Sequence, residues 1–173
     1  MIAQRASTRR RGGFTLIESA IAVVVVGVGI VALLQAMASG TRINGQARAI
    51  TQGVFLAQEV REWTLRLPFK DPNAPNPNMH PYTPGPESGE NPQVYVNDLD
   101  DLESITFSPP RDGEGQAIPE LSGWTQTITM QWRDPGSLTT AVPSGTSGVV
   151  HVTVSVSRNN QSVHSASWIV TDR

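Results

Sequence analysis

Phe14 opens the run FTLIESAIAVVVVGVGIVALLQAMAS, which ends at Ser39 and whose only charged residue is Glu18. A spanning helix needs roughly 20 predominantly apolar residues to cross a hydrocarbon core of about 30 Å. The run from Phe14 to Ser39 is long enough. Ahead of it stands MIAQRASTRRRGG, residues 1–13, basic and polar, with Arg5, Arg9, Arg10 and Arg11. A basic cluster flanking an apolar segment stays on the cytoplasmic side, which places everything after Ser39 on the far side of the membrane.

Three readings fit such a segment. Ala36-Met37-Ala38 follows the apolar run as an A-x-A site would, so a secretory signal peptide cut after Ala38 is one. The consecutive arginines Arg9, Arg10 and Arg11 suggest a twin-arginine export signal as the second. The third is a retained membrane helix behind a short leader. Both export readings leave Glu18 without a role, although an acid in an apolar segment is costly and marks a function.

Past Ser39 the pattern becomes one-sided. Ile43, Ala47, Ile50, Val54, Ala57, Val60, Trp63 and Leu67 recur at spacings of three and four, as on one face of a helix. Pro68 stops it. A continuous helix over 14–67 would extend about 80 Å at 1.5 Å per residue. Its first half, 14–39, would lie in lipid. Its second, 40–67, would pack one face on a domain. Gly27 and Gly29 interrupt the apolar half. They suit either close helix–helix contact or local unwinding outside lipid.

All 13 prolines lie between Pro68 and Pro143, eight of them by Pro92, so 68–93 reads as an irregular loop. An antiparallel β domain is expected over 94–173. In Trp124–Arg133, Trp124, Ile128, Met130 and Trp132 share one parity against Thr125, Thr127, Thr129 and Gln131. In Val150–Arg158, four valines alternate with His151, Thr153, Ser155 and Ser157. Asn159-Asn160 tolerates positive φ and turns the chain into a last strand, Ser162–Thr171. The fold class is therefore α+β, a long N-terminal helix whose striped half covers the greasy face of a small antiparallel sheet.

Gly13-Phe14-Thr15-Leu16-Ile17-Glu18, behind an Arg-rich leader and ahead of an apolar run, resembles the class III signal of type IV pilins and type II secretion pseudopilins. The resemblance covers the leader and the apolar run and no more of the chain. It implies cutting between Gly13 and Phe14 by a membrane-embedded prepilin peptidase, which would then N-methylate Phe14. It also implies partners: other pilin or pseudopilin subunits, an assembly platform in the cytoplasmic membrane, and the lipid bilayer. Glu18 would pair with the Phe14 amine of a neighbouring subunit and set the axial register. The alternative is a carboxylate that snorkels to the membrane surface. Loss of the leader's four arginines would leave nine basic and fifteen acidic side chains, an acidic exported part. The stretch Phe55-Leu56-Ala57-Gln58-Glu59 before Trp63 is similar to the minor subunits that prime filaments. The order Asn97–Asp101, Ser108-Pro109-Pro110 and Gly123-Trp124 is similar, more loosely, to minor pilins of the mannose-sensitive haemagglutinin type.

Chemistry is sparse. Asp98, Asp100, Asp101 and Glu103 offer the hard oxygens that calcium prefers, but without the order of an EF-hand loop. Some pseudopilins bind calcium in this region. A solvated acidic turn, anchored from beneath by Leu99 and Leu102, is the simpler expectation. With no Cys there is no disulfide framework or thiolate metal site. A net charge of −2 argues against nucleic-acid binding by bulk charge. No phosphate loop, HExxH or Gly-x-Ser-x-Gly occurs; His80 lies in the proline-rich loop, and His151 and His164, facing each other across a hairpin, read as surface residues, so no enzyme is expected.

Overall fold

The structure, a computed structural model, describes residues 15–71 and 81–172. Its elements are one helix, α1 (Leu16–Arg66), and five strands: β1 (Ile105–Phe107), β2 (Trp124–Asp134), β3 (Ser137–Ala141), β4 (Val149–Arg158) and β5 (Gln161–Thr171). Short 3₁₀ turns occupy Asp100–Leu102 and Pro119–Leu121. The chain divides into two compact units, Met1–Gln46 and Ala47–Arg173, and α1 runs through the division.

In the first unit the described residues form helix from Leu16 onward, unbroken at Gly27 and Gly29. Thr15 precedes the helix and Glu18 follows three residues later, the order of a capping box. The Glu18 amide donates to the Thr15 carbonyl at 3.0 Å and to Thr15 Oγ1 at 3.4 Å. An acid in the first turn also meets the positive end of the helix dipole.

The second unit is a five-stranded antiparallel sheet with the last turns of α1 across one face. β4 lies between β2 and β5, while β1 and β3 share the other edge of β2. Ile128 opposite Val154 and Gln126 opposite Val156 put the alternating residues of both strands on one face. Trp132, Ile128, Val150, Val152, Val154 and Val156 there are almost fully buried. The hairpin between β4 and β5 turns at Asn159 and Asn160, with φ of 49° and 63°, the two-residue turn expected.

The helix covers this face with a different stripe from the one the spacing predicts. Gly53, Leu56, Ala57, Val60, Trp63 and Thr64 are buried, whereas Ile50 and Val54 remain exposed. Ile43, in the first unit, is also exposed. The cause is a close approach at Gly53, where a Cβ would stand 3.0 Å from Val163 Cγ1 and 3.1 Å from His164 Cβ. Where strand side chains come that near the helix backbone, the smallest residue sets the contact line. Each large side chain on it, such as Leu56 or Val60, contributes roughly 1.5–3 kcal/mol by leaving water.

Gln126 also departs from the expected pattern, being wholly buried on the apolar face. Its Nε2 donates to the carbonyls of Leu56 and Arg111, and its Oε1 accepts from the Arg111 amide. One side chain therefore ties helix, sheet and the 111–117 turn together. That turn is pinned again from the helix, because Glu59 Oε2 accepts from the Gly113 amide. β3 arises where the sequence shows no alternation, and Val94-Tyr95-Val96 form no strand but leave Val94 and Tyr95 exposed.

Trp63 sits with its ring 5.7 Å from that of Phe107, under Gly115. Gly115 has φ of +76°, and a Cβ there would stand 2.7 Å from Trp63 Cζ2. Gly115→Ala should therefore destabilise the second unit by at least about 2 kcal/mol, from backbone strain plus overpacking. Denaturant unfolding of the purified chain in detergent, followed by tryptophan fluorescence, measures it. A loss below about 0.5 kcal/mol would show that the turn yields.

Candidate functional site

Two regions carry the candidate residues. The first is the start of α1. Its apolar side chains are exposed, from Leu16 at 90 % and Ile17 at 69 % through the Val23–Val26 run. The helix is long and apolar enough to cross a membrane. So much contiguous apolar surface is unfavourable in water and needs lipid or a partner against it. Glu18 is exposed in the first turn of this surface, its amide capped by Thr15. Gly13 and Phe14, the expected cleavage and methylation positions, lie outside the described residues.

The second is the acidic segment after the proline-rich loop, and here the solvated turn is corrected. Asp98, Asp100 and Asp101 are at most 3 % exposed. Leu99 and Leu102 anchor the turn as expected, at 1 % and 0 % exposure, and draw the acids inward between them. The backbone offers these carboxylates donors. Asp98 Oδ1 accepts from the Asp101 amide, Asp100 Oδ2 from Gly85 and Asp101 Oδ2 from Asn97, at 3.1–3.2 Å. The three acids thus serve as local caps that hold an irregular segment. Glu103 does not join them, since its Oε1 accepts from Ser144 Oγ. Glu87 and Glu90, which the sequence reading passed over, stand beside Asp101 instead. Only a structure finds them, for they lie well back along an irregular chain with no periodicity to relate them to Asp101.

Burial sets the electrostatics. Asp98 is pushed up to about 9, by loss of water and then by its hydrogen bond and repulsion with Asp100. Burial raises Asp100 and Asp101 too. Glu87, hydrogen-bonded to Glu90, rises to about 7, and Glu90 is lowered by the same bond. Of the histidines, His80 lies outside the described residues. His151 is opposite Ile169 and His164 opposite Val156, so the two do not face each other across the hairpin.

The folded chain therefore binds a proton at Asp98 that the unfolded chain releases. Its contribution to stability is complete below about pH 4 and is lost as the pH rises towards 9. In metal-free buffer the Tm of the chain in detergent should fall across that window. Asp98→Asn, which cannot ionise but retains an acceptor for the Asp101 amide, should flatten the slope. An unchanged slope would place the titrating group elsewhere.

Residues 8–34 match the family model described as the prokaryotic N-terminal methylation motif. The match is confined to the start of the chain and does not reach the β domain. No curated protein and no solved structure matches the chain. The chain thus carries the prepilin signal of type IV pilins, followed by a long apolar helix. A signal of this kind implies processing by a prepilin peptidase and assembly with other pilins, and is consistent with membrane anchoring.

Proposed function

We propose that this chain is a minor pilin or pseudopilin subunit of a type IV pilus-like filament. It is inserted in the bacterial cytoplasmic membrane by α1, with the β domain outside the cytoplasm. The leader 1–13 is removed between Gly13 and Phe14, Phe14 is methylated, and the apolar helix enters the filament from the assembly platform. The single observation that carries this reading is Glu18, the lone charge of the apolar segment, at the exposed N-terminal turn of a helix whose apolar first part no other described residue of its unit buries.

The physics of Glu18 supports a partner on another chain. A carboxylate in the bilayer costs roughly 2.5–3.5 kcal/mol on insertion scales. After the cut, the nearest new cation is the Phe14 ammonium, and N-methylation leaves it able to carry a proton. An amine four residues back on the same chain lies about 6 Å along the helix axis. A neighbouring subunit displaced along that axis can bring its own amine closer, and the pairing then fixes the stagger. Thr15 supports the arrangement by capping the Glu18 amide, which holds the acid in the first turn.

An exported soluble protein cut after Ala38 fits less well, since α1 runs without interruption through Ala38 and Ser39 and such a cut would sever a regular helix. A single-span adhesin that never polymerises makes a different prediction. Glu18→Ala should reduce filament incorporation at least tenfold, the loss of about 1.4 kcal/mol or more of pairing, while membrane insertion stays intact. Immunoblots of sheared filaments against membranes read both. Undiminished incorporation would favour the adhesin. Amino-terminal sequencing of the processed chain should begin at methylated Phe14, and a start at Ser39 would refute the proposal.

A further inference from the structure

β5 is an edge strand that nothing defends. It pairs with β4 on one side, and among the described residues no hydrogen bond reaches its other side. Exposed edges are normally blunted by charge, proline or a bulge, because their free amides and carbonyls invite another strand. β5, Gln161–Thr171, holds no Asp, Glu, Lys, Arg or Pro, and its register with β4 is regular from His164 to Thr171. Ala166, Trp168 and Val170 are only half-buried, whereas Val154, Val152 and Val150 opposite them are buried. The core is therefore unfinished on this side.

α1 borders the same edge. Gly53 lies against Val163 and His164, and Thr64 Oγ1 accepts from Trp168 Nε1 at 3.1 Å. The helix rises about 16 Å between those two contacts and the strand advances by about as much, so α1 runs alongside β5 in the same direction. Trp63 faces Phe107 of β1, and Thr64, one residue on, faces β5. Turning about 100° per residue in that sense brings Ile50, Val54, Arg61 and Leu65 onto the flank beyond β5. All four are exposed. Ile50 and Val54 belong to the apolar stripe that the spacing predicts and the sheet leaves uncovered. Where the flank ends, a cavity of about 520 Å³ opens between Leu65, Leu67, Ile169 and Val170.

We propose that the outer edge of β5 receives an extended segment of another polypeptide as an added strand, with an acidic side chain of that segment against Arg61.

Strand addition uses both features at once: the edge supplies backbone hydrogen bonds, and side chains at alternate positions meet the flank and the cavity. Charge identifies the occupant. Arg61 forms no ion pair among the described residues, and its helical neighbours Ala57, Gln58, Thr64 and Leu65 include no acid. By the rises above, Arg61 stands level with Ala166 and Ser167. A second copy pairing antiparallel about Ala166 would bring two Arg61 side chains to one place with no acid between them, which opposes self-pairing. A foreign strand with a carboxylate at that level is complementary instead.

The inference goes beyond the subunit reading and does not rest on it, since it is tested on the purified full-length chain in detergent. The probe is a labelled synthetic peptide of about ten residues alternating threonine and valine, with glutamate in place of the central valine. Its fluorescence anisotropy should saturate with a Kd of about 0.1 mM or tighter. A peptide with lysine at that place should bind at least about tenfold more weakly. Arg61→Glu, at an exposed position, should reverse the preference, which a merely structural arginine would not do. Hydrogen exchange with the glutamate peptide bound should slow the β5 amides that do not bond to β4 at least about tenfold and leave β3 unchanged. No saturable binding, equal affinity for the two peptides, an unreversed preference in the variant or protection elsewhere than β5 would each overturn the proposal. A dimer in sedimentation without peptide, its β5 amides already protected, would assign the edge to a second copy and overturn it as well.

Discussion

One helix has to satisfy two environments. α1 is continuous from Leu16 to Arg66, yet its first part presents apolar side chains all round and its last part presents them on one side. The first part can be stable only against lipid or an apolar partner. The last part supplies the missing half of a core, because the valines of β4 and the aromatics of β2 form a greasy face that the sheet cannot hide by itself. The burial of Leu56, Val60 and Trp63 is thus the interaction on which the globular unit depends. Removing that cover would expose most of the core at once.

Around that contact the fold uses polar groups as fasteners. Gln126 holds the Leu56 carbonyl and both backbone groups of Arg111, Glu59 holds the Gly113 amide, and Trp168 Nε1 donates to Thr64 Oγ1 at 3.1 Å. Arg111 stacks its guanidinium 4.8 Å from the Phe107 ring while its Nη1 holds the Gly115 carbonyl. Buried hydrogen bonds of this kind add little net energy each but make misplacement expensive, since a broken one leaves an unpaired group in a dry interior. They fix where along its axis the helix meets the sheet.

The irregular region between helix and sheet is organised on a different principle. With eight prolines between Pro68 and Pro92 it has few amides to spend on regular structure. Carboxylates take over the work of secondary structure, accepting from Gly85, Glu87, Asn97 and Asp101 amides. The result is a strongly acidic segment in which burial raises Asp98, Asp100 and Asp101. Lys70, paired with Asp172 at 3.0 Å, answers the charge at the C-terminal end of β5 and not the Glu87–Glu90–Asp101 group.

What the sequence determined by itself is what depends on neighbours along the chain. The apolar run from Phe14, the basic leader, Glu18, the alternation in β2 and β4, and the Asn159-Asn160 turn are local patterns, and local physics reads them. The same reasoning placed Leu99 and Leu102 beneath a short helical turn. What tertiary structure decided is what depends on atoms distant in sequence. The stripe of α1 that is buried was set by the approach of Gly53 to Val163 and His164 of β5, near the far end of the chain, and not by spacing alone. Gln126 was hidden among apolar neighbours because its partners come from Leu56 and Arg111. The burial of Asp98, Asp100 and Asp101 reversed the expectation of a solvated turn, since a charge pattern carries no record of what will fold over it.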